Sequence, residues 1–179
     1  MNPFSINNQP TYDPFAVQPM RDELLATGFN ELLTPQDVDN AILENKGKTV
    51  FVVMNSVCGC AAGSARPGAT LALQNAKIPD SIYTVFAGQE KEAMAHLRQT
   101  YLADYPPSSP AMILFRDGKV IFIMHRLDIE GYSADQIAAT LVKAFNEHCS
   151  AEGPAISPED YNKILHAKAC GSKIPRFQS

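Results

Sequence analysis

Two thiols separated by a single glycine, Cys58-Gly59-Cys60, stand between an apolar run (TVFVVM, 49–54) and a stretch of small residues (AAGSARPG, 61–68). Core packing has no use for two cysteines at that spacing. Disulfide exchange does: one thiolate attacks a disulfide sulfur, and a second thiol nearby resolves the mixed disulfide that results. Metal binding competes for the same residue type, but zinc sites commonly separate paired ligands by two to four residues rather than one. A four-ligand site would have to recruit Cys149, Cys170, His148 or His166, and no motif draws them in. No metal is expected.

The attacking species is the thiolate, so something must favour the anion. No residue between 49 and 65 is charged. A helix N-terminus supplies the missing field, with unpaired N–H groups and a dipole worth about 0.3–2 kcal/mol to an anion. Cys58 is expected at the exposed mouth of such a helix, as the nucleophile. Cys60 falls in the first turn, where it reaches Cys58 but hardly a bulky substrate, and is the resolving thiol. Gly59 is expected to let the backbone bend so that the sulfurs meet. A disulfide across one residue closes a very small ring, so the pair is expected to be readily reduced and oxidising.

A second feature is Ser109-Pro110, directly before an apolar strand. In this order of elements it matches a cis-proline facing the cysteines. Its use is to present the backbone of Ser109 to an extended substrate, which pairs as an added strand.

The elements that hold these groups follow from periodicity and punctuation. Residues 1–18, with Pro3, Pro10 and Pro14 among Asn and Gln, read as an extended arm. Helices follow over 17–27 and from Pro35, the second capped by Thr34. Residues 50–54 are continuously apolar and β-branched, as in a central strand covered on both faces. The helix after the cysteines contains Pro67, which should kink it. A short strand (82–86) and an amphipathic helix (89–103) lead to the loop DYPPSSP, where His96 is expected to be solvated. Two strands joined by Asp117-Gly118 form a hairpin, and Ser133 with Gln136 caps a last long helix. This order gives an α/β, thioredoxin-like fold. Its four-stranded mixed sheet is flanked by helices, with an N-terminal helical extension and a C-terminal tail. The expected divisions are an arm over 1–18, a thioredoxin-like domain over 19–150 and a tail over 151–179, whose short helix runs from Ser157 to Gly171.

The 179 residues carry a net charge of −4, and no apolar run approaches membrane-spanning length. Nucleic acid and membrane are therefore not expected partners. The first cation is Arg21, which argues against a signal peptide, and four cysteines are too few for a disulfide scaffold at this length. The expected compartment is the cytoplasm.

The segments NSVCGCAAG-ARP, VFAGQEKEA, PPSSPAM, HRLDIEG and AFNEHC resemble the bacilliredoxin family, small bacterial thioredoxin-fold proteins with a Cys-Gly-Cys site. The resemblance runs from about Pro14 to Cys149. It implies removal of the low-molecular-weight thiol bacillithiol from mixed disulfides on cytosolic client proteins, with bacillithiol as co-substrate and no tightly bound cofactor. The cysteine matching Cys58 takes the cap, and Cys60 or free bacillithiol resolves it. Asn55 and Arg126 are substrate-binding candidates. Arg126 would meet the acidic groups of bacillithiol, its other use being a salt bridge to Asp128 or Glu130. The chain departs from the pattern at Leu127, where the family usually has histidine, and in the tail with Cys170. Two other readings use the same residues: a general disulfide reductase or isomerase, and a non-catalytic module that senses oxidant or holds metal.

Overall fold

The structure is a computed structural model, and it describes residues 8–168 and 173–178. Pro3, Cys170 and Gly171 lie outside the described residues. The chain is built around β2 (Thr49–Asn55), all seven of whose residues are buried. An apolar, β-branched strand of this kind is stable only with neighbours on both edges and cover on both faces. It has both. It pairs in parallel with β4 (Ser81–Phe86) and antiparallel with β5 (Ala111–Arg116). β6 (Lys119–Met124) closes the hairpin on β5 through Asp117 and Gly118. Both turn residues take positive φ, 51° and 75°, as a two-residue turn matching the strand twist requires.

The sheet has five strands rather than the four expected, because Asn30–Glu31 (β1) adds to the outer edge of β4, in the order β1-β4-β2-β5-β6. Two residues in a link between helices carry no strand periodicity, and only pairing defines them. One face is covered by α2 (Pro35–Leu43) and α4 (Lys91–His96), the latter extended by a π-helical turn over Leu97–Tyr101. Val50, Val52 and Met54 of β2 point into that layer. Phe51 and Val53 point the other way, toward α3 (Arg66–Ala72) and α6 (Ala134–His148). This is the thioredoxin-like α/β arrangement.

Several local expectations change. The first helix, α1 (Pro14–Leu25), starts with Asp13 as its cap, so 14–18 is helical rather than part of an extended arm. Residues 11–13 lie over the body: Thr11 N–H donates to Gly88 O at 2.7 Å, and Tyr12 bridges to Arg176 of the tail. His96 is not merely solvated, because its Nε2 lies 2.7 Å from Asp39 Oδ1, which also accepts the Tyr101 hydroxyl at 2.6 Å. The tail helix, α7, is only the turn Pro158–Tyr161. Before it, Ala151–Glu152 (β7) pairs with Lys77–Ile78 (β3) as a small separate ladder. Among the described residues, no helix is long and apolar enough to cross a membrane.

α3 and α6 pack closely against each other at Gly68. A Cβ added at Gly68 would lie 2.7 Å from both Cβ and Cγ2 of Ile137 and 3.0 Å from the Ala134 carbonyl oxygen. Neither a β-branched Cβ nor a helix backbone can swing aside. Gly68→Ala should therefore cost about 1–3 kcal/mol, read as a fall of several degrees in Tm by calorimetry. An unchanged Tm would show that the two helices can slide apart freely.

Candidate active site

The cysteine pair sits where β2 ends and the next helix begins. Gly59 and Cys60 are already helical, and Cys58 O accepts from Ala61 N–H at 3.1 Å and from Ala62 N–H at 3.2 Å. Cys58 is thus the residue that starts the helix. Its Sγ lies 3.3 Å from the Ala61 N–H nitrogen, the place usually taken by a serine or aspartate oxygen at an N-cap. The Ser56 hydroxyl donates to the same sulfur at 3.1 Å, while Cys58 N–H donates back to Ser56 Oγ at 3.3 Å. Cys60 Sγ is 2.6 Å from Cys58 Sγ. Gly59 is exposed and helical, so no unusual backbone bend at this position joins the sulfurs. The start of the helix does.

The two thiols differ in environment. Burial, with the hydrogen bond and charge of Cys58 behind it, pushes the Cys60 thiol up to about 11. Cys60 is therefore protonated at neutral pH and can give its proton to a neighbour. Cys58 has two donors aimed at its sulfur. The third thiol, Cys149, is buried and also pushed up by desolvation, at the far end of α6.

Pro67 does not break the helix after the cysteines. The turn Ala61–Ala65 is π-helical, and Arg66 N–H bonds to Ala61 O five residues back. Pro67 then falls in the first turn of the α-helical segment, where a missing N–H is tolerated.

Behind the site lies a residue that the sequence does not flag. Arg66 is fully buried, the largest side chain to be so. Its Nε donates to Glu23 Oε2 at 2.8 Å, one Nη to Asn55 Oδ1 (3.1 Å) and Ser56 O (3.0 Å), and the other to Ala167 O (2.8 Å). Glu23, 1% exposed, also accepts from His166 Nδ1 at 2.7 Å and from Ala167 N–H at 3.1 Å. The signal available was Arg66 itself, the one charge in the otherwise uncharged run from Gly59 to Ala76. Asn55 belongs to this network and not to a substrate surface. It is 1% exposed, its Oδ1 also accepts from Ser56 N–H, and its amide donates to Met20 O. Asn55 positions Ser56, which in turn bonds the sulfur of Cys58.

Ser109-Pro110 is cis. The register Met54↔Ala111 carries this dipeptide past the end of β2, on the cysteine side of the sheet. Arg126 opens the short helix α5 (Arg126–Ile129), and its N–H donates to Ser108 Oγ at 2.7 Å. Its guanidinium bonds Glu130 at 3.4 Å, and it lies close enough to both sulfurs that their charges help to raise its pKa. The fold thus brings one cation to a pair whose own segment has none. Leu127 is 83% exposed beside it. Ser109, Arg126, Leu127 and Glu130 line a groove of 480 Å³. Among the described residues, no group of three or more His, Cys, Asp or Glu is placed to hold a metal ion.

Comparison with known proteins finds relatives over most of the chain. Residues 12–149 match the family model described as disulphide isomerase. A bacilliredoxin of Halalkalibacterium halodurans is 51% identical over 133 residues, covering 74% of this chain and 91% of its own. A bacilliredoxin of Salinibacter ruber is 45% identical over 170 residues, covering 94% of this chain and 98% of its own. Among solved structures, Fasciola hepatica thioredoxin aligns at 22% identity and a TM-score of 0.47, over 67% of this chain and 99% of that one.

The contrast between the two thiols is open to direct trial. With substoichiometric iodoacetamide at neutral pH, peptide mapping should place the label on Cys58, with Cys60 joining only as the pH is raised toward 11. Comparable labelling of both at neutral pH would contradict the assignment.

Proposed function

The chain belongs to the bacilliredoxin family of thiol–disulfide oxidoreductases, and from that premise we propose that it removes bacillithiol from mixed disulfides on cytosolic client proteins. The observation that supports this most strongly is the sulfur of Cys58, placed at a helix start with two donors and with Cys60 2.6 Å away.

In the first step, the Cys58 thiolate attacks the bacillithiol sulfur of the client's mixed disulfide. A Cys58–bacillithiol disulfide forms, the client–bacillithiol bond breaks, and the client sulfur leaves as a thiolate that takes a proton from solvent. In the second, Cys60 attacks Cys58 Sγ. The Cys58–Cys60 disulfide forms, bacillithiol leaves, and the proton held on Cys60 passes to the departing sulfur. Alternatively a second bacillithiol attacks the bound one, which frees Cys58 and yields bacillithiol disulfide. The client is reduced in both cases. The electrons come from the dithiol or from bacillithiol, and an external thiol reductant restores them.

The surroundings support these steps. The two donors on Cys58 favour it both as attacking anion and as leaving group. Ser109, on the cis-peptide loop, offers backbone to an extended client segment. Arg126 offers a cation to the acidic cap. Leu127 gives the groove an apolar rim and takes no part in proton transfer.

The test uses one client protein capped with either bacillithiol or glutathione and mixed with pre-reduced protein. The bacillithiol cap should come off about tenfold faster or more, a difference in barrier of about 1.4 kcal/mol. Cys58→Ser should abolish release. Cys60→Ser should keep the first step and accumulate the Cys58–bacillithiol adduct, visible by mass spectrometry. Equal rates on the two caps would replace this reading with that of a general disulfide reductase.

A further inference from the structure

Beneath the loop that carries Ser109-Pro110 is a cavity of 430 Å³, whose walls include Met54, Leu102, Tyr105 and Ala111. Two nitrogens there are buried without a hydrogen-bond partner among the described residues: Arg98 Nε and His125 Nδ1. Arg98 is a cation with little to hold it. Among the described residues its only hydrogen bond is a long one, Nη2 to Ser108 O at 3.4 Å, and it has no carboxylate within ion-pair distance. It is partly buried, and desolvation pulls its pKa down. A partly buried cation without a counter-ion carries a desolvation cost that an arriving anion offsets in part.

The cavity is not isolated. Arg98, Ser108 and His125 also line the 480 Å³ groove that runs on to Ser109 and Arg126, and Arg126 interacts electrostatically with both sulfurs. Glu130 is engaged with Arg126 and leaves Arg98 unpaired. The cavity and the groove therefore share a wall, with Arg98 common to both and Arg126 on the groove alone.

We propose that this cavity is an anion-recognition subsite, in which Arg98 and His125 receive a carboxylate of the low-molecular-weight thiol whose sulfur is engaged by Cys58. The inference rests on the bacillithiol reading and adds to it the residues that receive the acidic end of the cap. Arg126 meets the thiol near its sulfur and Arg98 meets its acidic end, while the apolar walls exclude water and strengthen the ion pair. A cap of similar size without a carboxylate has nothing to offer Arg98 and leaves it unpaired. Selection thus comes from a penalty on the wrong ligand as well as from a gain on the right one.

The test is calorimetric titration of the reduced protein with S-methyl bacillithiol, which cannot react, and with its methyl ester, which lacks the charge. The acid should bind about tenfold tighter than the ester to the native protein, the scale of one charge-assisted hydrogen bond. Arg98→Gln should lose that tenfold on the acid and bind both forms alike, and Arg98→Lys should recover part of it. The comparison of acid with ester in the native protein needs no variant, so a misfolded Arg98→Gln leaves the result readable. Equal binding of acid and ester, or an Arg98→Gln protein that still prefers the acid, would overturn the subsite. If the subsite binds as described but bacillithiol and glutathione caps are released equally, the bacillithiol reading fails and the anion site stands.

Discussion

A sulfur atom occupies the position at a helix start where an acceptor oxygen is usual, and the chemistry of this protein depends on that substitution. The first amides of a helix need an acceptor and favour a negative one. Cys58 Sγ takes the Ala61 N–H, and the Ser56 hydroxyl closes on it from the strand side. Cys60, two residues on, is raised by desolvation and keeps its proton. One sulfur is thereby equipped to attack and the other to resolve, although the two residues are chemically identical.

That geometry holds only if the end of β2 and the start of the helix are fixed relative to each other, and Arg66 fixes them. Its guanidinium reaches Asn55 and Ser56 at the strand end, Glu23 in α1 and Ala167 in the tail. A fully buried ion pair is a poor source of stability, since desolvation offsets most of the attraction. Its value here is positional, because four segments distant in sequence share one set of hydrogen bonds. The same pair accounts for the path of the tail, whose His166 and Ala167 both bond to Glu23. Residues beyond the family match are in this way joined to the back of the cysteine site.

Much of the frame was legible in the sequence because its causes are local. The β-branched run marks the central strand, Asp117-Gly118 the hairpin, Ser133 with Gln136 the last helix, and the order of elements the sheet. Cys58 and Cys60 were legible as a reacting pair because their spacing suits little else, and Ser109-Pro110 was legible from its place before β5. The remainder depends on contacts that no local pattern encodes. Asn30–Glu31 becomes a strand only because β4 has an unpaired edge. Asn55 reads as exposed polar chemistry at a strand end, whereas a buried arginine eleven residues later draws it inside. Arg126 was legible as a binding candidate or as a partner of Glu130, which it bonds, whereas nothing in the local pattern marks Arg98, whose setting under the proline loop only the fold supplies.

The claim that donors at the helix start carry the reactivity of Cys58 is tested most directly by removing one of them. The rate of Cys58 alkylation should be followed against pH in the native protein and in Ser56→Ala, which keeps the strand and the helix and deletes only the hydroxyl. The account predicts a roughly fivefold slower reaction at neutral pH in the variant, from a loss of about 1 kcal/mol of stabilisation of the anion, with the two rates converging at strongly alkaline pH. Superimposable profiles would contradict it.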